Sequence, residues 1–258
     1  MTAASTPEEL DGELDAALRA AARPDRAEAE ARYLKSALAH YGAPVPAARD
    51  LVRRLRRTHP DLDREGVLAL AERLWERPPE APVHERRLLA ALLLASRVDL
   101  LQADDLPLLE RRVRQARTWA LVDVLACDVA GPLTDRLGAG ATHVLDRWAA
   151  DDDLWVRRLA LLSHERPLRA GGGDWERFTR YADAMLSERE FFVRKAIGWV
   201  LRSASRRRPA MVARWLEPRA GRASGVTLRE AVKYLSPDDA ALILARAAAA
   251  RRQERSRR

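Results

Sequence analysis

The chain has 258 residues, 47% of them hydrophobic, and a formal net charge of +8, so it has enough apolar material for a substantial core. It contains no run of about 18 apolar residues and no signal-peptide pattern, which excludes a helical membrane span and leads us to expect a soluble, cytoplasmic protein. Cys127 is the sole cysteine, and His40, His59, His84, His143 and His164 are scattered without ligand spacing, so an internal disulfide is excluded and neither metal nor cofactor is expected.

Residues 1–30 hold eight acids against three arginines and read as an acidic leader, partly helical. Its first helix should start at Thr6-Pro7-Glu8-Glu9, which fits a capping box with proline at the first helical position. From Glu8 to Ala250 apolar residues recur every three or four positions, with no strand-like alternation bounded by turn signals. Breaks at Gly42 to Pro46, Pro78 to Pro82, Gly131-Pro132, Gly138 to Gly140, Gly171 to Gly173 and Gly221 to Gly225 divide the chain into roughly a dozen helices joined by short loops. Ser187-Glu188-Arg189-Glu190 fits a second capping box, and Ser236-Pro237 a last helix start. Residues 251–258, with five arginines and one glutamate, read as a disordered Arg-rich tail.

A repeat runs beneath this pattern. Leu154-Trp155-Val156-Arg157-Arg158-Leu159-Ala160 is echoed by Phe191-Phe192-Val193-Arg194-Lys195-Ala196-Ile197, and His84-Glu85-Arg86-Arg87-Leu88-Leu89 is echoed by Trp155 to Ala160. A spacing near 36 predicts an all-α, HEAT-like helical-repeat solenoid over residues 1–250 as a single domain. Equivalent placement of Arg86-Arg87, Arg157-Arg158 and Arg194-Lys195 would line a concave basic face suited to the phosphates of nucleic acid. Only three of the 46 basic residues are lysines, so arginine-favouring codon usage is an equally simple source of the charge.

Trp199 falls beside Lys195 and Arg202 on a face adjoining the expected buried stripe Val193, Ala196, Ile197 and Val200. It reads either as a boundary tryptophan or as part of a site. Trp119 and Asp123 are four apart and share one side of a helix. A fixed carboxylate there would stabilise positive charge on a sugar during N-glycosidic cleavage and orient water. A helix carboxylate paired with arginine is the ordinary alternative. Arg158 is likewise a surface arginine or a phosphate ligand.

The stretch Phe191 to Arg202 closely resembles the signature of the AlkD-like family of HEAT-repeat DNA alkylation repair glycosylases. Further similar stretches follow the family's order: Ala31-Arg32-Tyr33-Leu34-Lys35, Trp119 to Asp123, Asp153 to Arg158, and Arg229-Glu230-Ala231-Val232-Lys233-Tyr234. All three lysines fall inside them. The resemblance implies a monofunctional glycosylase that removes cationic N3- or N7-alkylpurines from double-stranded DNA, leaves an abasic site and uses no tight base-flipping pocket. Small methyl and bulky adducts are both compatible with it. It implies Asp123 as the catalytic aspartate with Trp119 and Trp199 beside the reaction, Arg158 and Tyr33 as DNA contacts, no cofactor, and a monomer. Lys35, Arg157, Arg194, Lys195 and Arg202 join the expected DNA-binding set through the basic face. A catalytically silent DNA-binding protein and a HEAT-type protein scaffold are the alternative readings.

Overall fold

The structure, a computed structural model, describes residues 5–256. Among these residues the secondary structure is helical, apart from one isolated bridge between Ala39 and Val83. None of the helices is long and apolar enough to cross a membrane. The chain packs as two compact units, through Val129 and from Ala130 onward.

The first unit contains α1 (Pro7–Ala20), α2 (Pro24–Leu34), α3 (Val45–Thr58), α4 (Arg64–Glu76), α5 (His84–Ser96), α6 (Leu106–Ala116) and α7 (Trp119–Val124), which runs on as a π-helical stretch over Leu125–Ala130. The capping box that opens α1 is formed: the Thr6 hydroxyl accepts from Glu9 N and the Glu9 carboxylate accepts from Thr6 N, satisfying two amides that the helix cannot. Leu10, Leu14 and Leu18 bury that helix, which packs on α4, while α4 packs on α5. The α1 segment of the acidic leader is therefore docked into the core.

That docking explains the first departure from expectation. Arg86 and Arg87, placed by the repeat on a basic surface, are buried in α5 at 3% and 7% exposure. Arg86 donates to Asp11 at 2.6 Å, contacts Asp15 at 2.9 Å and donates to the Arg77 carbonyl at 2.8 Å. Arg87 donates to the carbonyls of Gln115 and Trp75 and lies over the Trp75 ring. A buried guanidinium is tolerable only when its donors are satisfied. For Arg86, two leader aspartates satisfy them.

The second unit contains α8 (Gly131–Leu137), α9 (Thr142–Ala149), α10 (Leu154–Leu162), α11 (Glu165–Ala170), α12 (Trp175–Met185), α13 (Phe191–Ser205), α14 (Pro209–Leu216), α15 (Gly225–Ala231) and α16 (Pro237–Ser256). The stripe Val193, Ala196, Ile197 and Val200 is fully buried. Between these residues, Gly198 permits the closest approach of α13 to α15. A Cβ there would lie 2.8 Å from the Thr227 carbonyl oxygen and 3.0 Å from its Cα.

The box expected at Ser187 to Glu190 does not form. The helix begins at Phe191, with Glu190 in place of Ser187 as an N-cap lacking a side-chain bond. The Glu188 carboxylate accepts from Arg157 at 3.0 Å and its carbonyl from Arg194, so arginines organise this turn. Ser236 does cap α16, accepting from Asp239 N at 3.1 Å. That helix continues through residues 251–256, so this part of the Arg-rich tail is helical and not disordered as its composition predicts. Residues 257 and 258 of that tail lie outside the described residues.

Candidate functional site

In the first unit, the chain turns from α6 into α7 through Arg117, whose φ of 49° is left-handed, and Thr118, which is extended. Trp119 therefore stands at the first position of α7. One turn later Asp123 shares its side of the helix. Both are half-buried. Leu121, Val122 and Leu125 are fully buried and anchor the helix so that the indole and the carboxylate point away from the core. The π-helical stretch starts two residues after Asp123, a local widening that often accompanies functional positions.

Tyr33, near the end of α2, is 73% exposed. Its ring meets Trp119 edge to face at 5.8 Å and 87°, the arrangement favoured by aromatic quadrupoles. Lys35 caps α2 in the left-handed region at φ 50° and is exposed. Tyr33, Lys35, Trp119 and Asp123 are thus the predicted residues that the first unit carries, and the fold adds the ring contact between Tyr33 and Trp119.

In the second unit, Arg158 is buried at 2% exposure. It donates to the Phe192 carbonyl at 2.5 Å and lies 5.9 Å from the Phe192 ring centroid. Trp155 packs on the same ring at 4.9 Å. Phe191, half exposed, meets Phe192 edge to face and carries the Lys195 ammonium 6.0 Å from its centroid. Phe192 lies within the repeated motif, but nothing in the sequence pattern assigns it a role. Its signal was the aromatic pair opening a helix.

The remaining predicted basic residues differ in their freedom. Arg157 donates to both oxygens of Glu188 and to the carbonyls of Asp151 and Asp152. Arg194 donates to the Glu188 carbonyl. Arg202 donates to Glu230, which also accepts from Lys233 at 3.0 Å. Burial works to raise the Glu230 pKa, but the Lys233 hydrogen bond and the charges of Arg202, Lys233 and Lys195 together hold it below the ordinary value. Lys195 stays exposed, and Trp199 is half-buried one turn further along α13.

The histidines, unpatterned in sequence, are partly gathered by the fold. His40 stacks on His84 at 4.8 Å, and Glu30, His40 and Glu85 bring one potential ligand atom each within 4.8 Å of one another. Glu85 already accepts the amides of Tyr41 and Gly42. Burial pushes His84 down to about 3 and lowers His40, where the charges of Glu85 and Glu30 oppose it.

The model of a family described as DNA alkylation repair enzyme matches residues 14–235. Among solved structures, a predicted DNA alkylation repair enzyme from Enterococcus faecalis is similar at 21% identity and a TM-score of 0.73, covering 84% of this chain and 97% of that one. AlkD2 from Streptococcus mutans is similar at 20% identity and 0.56, over 72% and 88% of the two chains. The smu.31 protein from Streptococcus mutans UA159 is similar at 18% and 0.53, over 73% and 100%. These likenesses support the helical-repeat fold. No curated protein matches the chain.

Proposed function

Because the chain belongs to the DNA alkylation repair enzyme family, we propose that it is a monofunctional DNA glycosylase, hydrolysing the N-glycosidic bond of cationic N3- and N7-alkylated purines in duplex DNA. The observation that carries this reading is the half-buried Asp123 one helical turn after Trp119, with Tyr33 set edge-on against the indole. An alkylated purine already bears positive charge and leaves as a neutral base, so no general acid is required. As the bond stretches, charge develops on the sugar. A fixed carboxylate stabilises it and orients the attacking water, and aromatic faces add cation–π attraction.

On this reading Asp123 faces the deoxyribose, Trp119 adjoins it and Tyr33 contacts the DNA. The family resemblance extends a role to Trp199 and a backbone contact to Arg158. Lys35 and Lys195, both exposed, are the lysines most available to phosphates. Arg157, Arg194 and Arg202 act mainly by holding Glu188 and Glu230 in place. We take residues 1–250 to act together as one cytoplasmic, monomeric enzyme without a cofactor.

The test is release of free base from duplex DNA carrying N7-methylguanine in metal-free buffer, comparing the native protein with Asp123→Asn. Release by the native protein alone is expected. Equal release by both would remove Asp123 from the chemistry, and binding without release by either, on methylated and bulky adducts alike, would replace the enzyme with a DNA-binding protein.

A further inference from the structure

A row of exposed arginines in the first unit lies within the residues that the family model matches but between the stretches of closest resemblance in sequence. On α3, Ala48, Val52 and Leu55 are buried, and Arg49, Arg53, Arg54, Arg56 and Arg57 are all exposed. At about 100° per residue the five arginines cover an arc of about 160° opposite the buried stripe. Arg53 pairs with Asp50. The other four have no carboxylate partner among the described residues. Elsewhere in the unit many arginines meet carboxylates, as Arg64 does Asp105, Arg73 Glu8, and Arg112 Glu72 and Glu76.

Like charges four apart, as at Arg49 and Arg53 and again at Arg53 and Arg57, destabilise a helix. Arginine-favouring codon usage explains the residue type but not the missing carboxylates. The row therefore works against the helix that carries it, which is the pattern of a surface kept for an anion.

Its place in the fold identifies that anion. Within the unit, α3 packs on α5 and α5 packs on α7, while α1 packs on α4. One helix, α5, therefore separates α3 from the helix that carries Trp119 and Asp123. Packed helices are spaced by about 8–10 Å, which puts α3 within about 16–20 Å of α7. Duplex DNA presents a charge about every 1.7 Å along its axis, so a duplex engaged at α7 reaches α3 within a few base pairs.

We propose that Arg49, Arg56 and Arg57, with Arg53 beside them, form a second phosphate-binding row that holds the backbone of the same duplex beyond the damaged nucleotide. This inference rests on the DNA-binding part of the reading above and not on base release.

The test uses undamaged duplex and measures affinity against salt for the native protein, for the Arg49→Gln, Arg56→Gln, Arg57→Gln triple variant, and for a control of equal charge change, Arg166→Gln, Arg169→Gln, Arg214→Gln. Each phosphate contact contributes about 0.9 to the log–log salt slope, so the α3 variant should flatten the slope by about 2 to 3 and weaken binding about tenfold or more, while the control keeps the native slope. Thermal melts confirm that both variants fold. Equal loss in both, or no loss in the α3 variant, overturns the row while leaving the glycosylase reading intact. A native protein without salt-dependent binding overturns both.

Discussion

In the first unit the Trp119 indole and the Asp123 carboxylate stand at the edge of the core, and the Tyr33 ring that meets Trp119 is open to solvent. In the second unit Trp155, Phe192 and Arg158 close on one another, and the guanidinium is buried against a carbonyl and a ring. Both clusters join aromatic residues to a charged one at the start of a helix. One leaves its charged group half-exposed beside aromatic surface, and the other uses its charge to tie α10 to α13. Resemblance in sequence therefore does not distinguish a residue that meets a ligand from one that positions the helix carrying it.

The sharpest way to test that contrast is to neutralise one carboxylate in each unit. Asp123→Asn should lower single-turnover base release by about 100-fold or more, the magnitude of losing a preorganised electrostatic contact, with little change in duplex affinity. Glu230→Gln, which frees Arg202 and Lys233, should leave release within a few fold. Equal losses in the two variants would erase the distinction.

Stability separates the units next. Arg158→Met removes a buried donor and leaves the Phe192 carbonyl with one partner fewer, which should cost about 1–3 kcal/mol in denaturant unfolding. If Arg158 serves DNA alone, affinity falls and stability holds. Gly198→Ala forces a methyl against the Thr227 backbone and should likewise cost about 1–3 kcal/mol. Its failure to do so would mean that α13 and α15 separate easily.

A smaller effect is expected in the first unit, where a double-mutant cycle of Tyr33→Ala and Trp119→Ala should show a coupling of about 0.5–1.5 kcal/mol. Zero coupling in stability and in DNA affinity would show that the edge contact has no energetic role.

Buried histidines make both units sensitive to acid, His84 in the first and His164 in the second. Burial pushes His164 from 6.5 down to about 4, against the opposing charge of Asp174. Since the unfolded chain takes up the proton first, stability is whole above about 6.5, falls as the pH drops below that value, and the His164 share of the loss is complete near 4. Melting temperatures from pH 7 to 4 should decline, and His164→Gln should flatten that decline. An unchanged profile would show that His164 is hydrated.

Much of this was readable without the fold. The helical period, the Thr6 and Ser236 caps and the buried stripe on α13 follow from local chemistry, because caps and stripes are formed by residues within a turn or two of each other. The nearness of Trp119 to Asp123 is equally local. The repeat also located true helix starts, since His84, Leu154 and Phe191 begin α5, α10 and α13.

What the period could not convey is which basic residue of each repeat faces solvent. Arg86 is buried because Asp11 and Asp15, far away in sequence, reach it, Arg158 because Phe192 covers it, and Lys195 remains exposed. The unmatched arginines of α3 stood in plain view in the sequence, yet their meaning depended on what the other helices failed to place beside them. Sequence alone determined the helical pattern, the Thr6 and Ser236 caps and the family. Tertiary structure decided which charges meet a partner, because a buried charge is tolerated only where distant parts of the chain bring its counter-charge and hydrogen bonds to it.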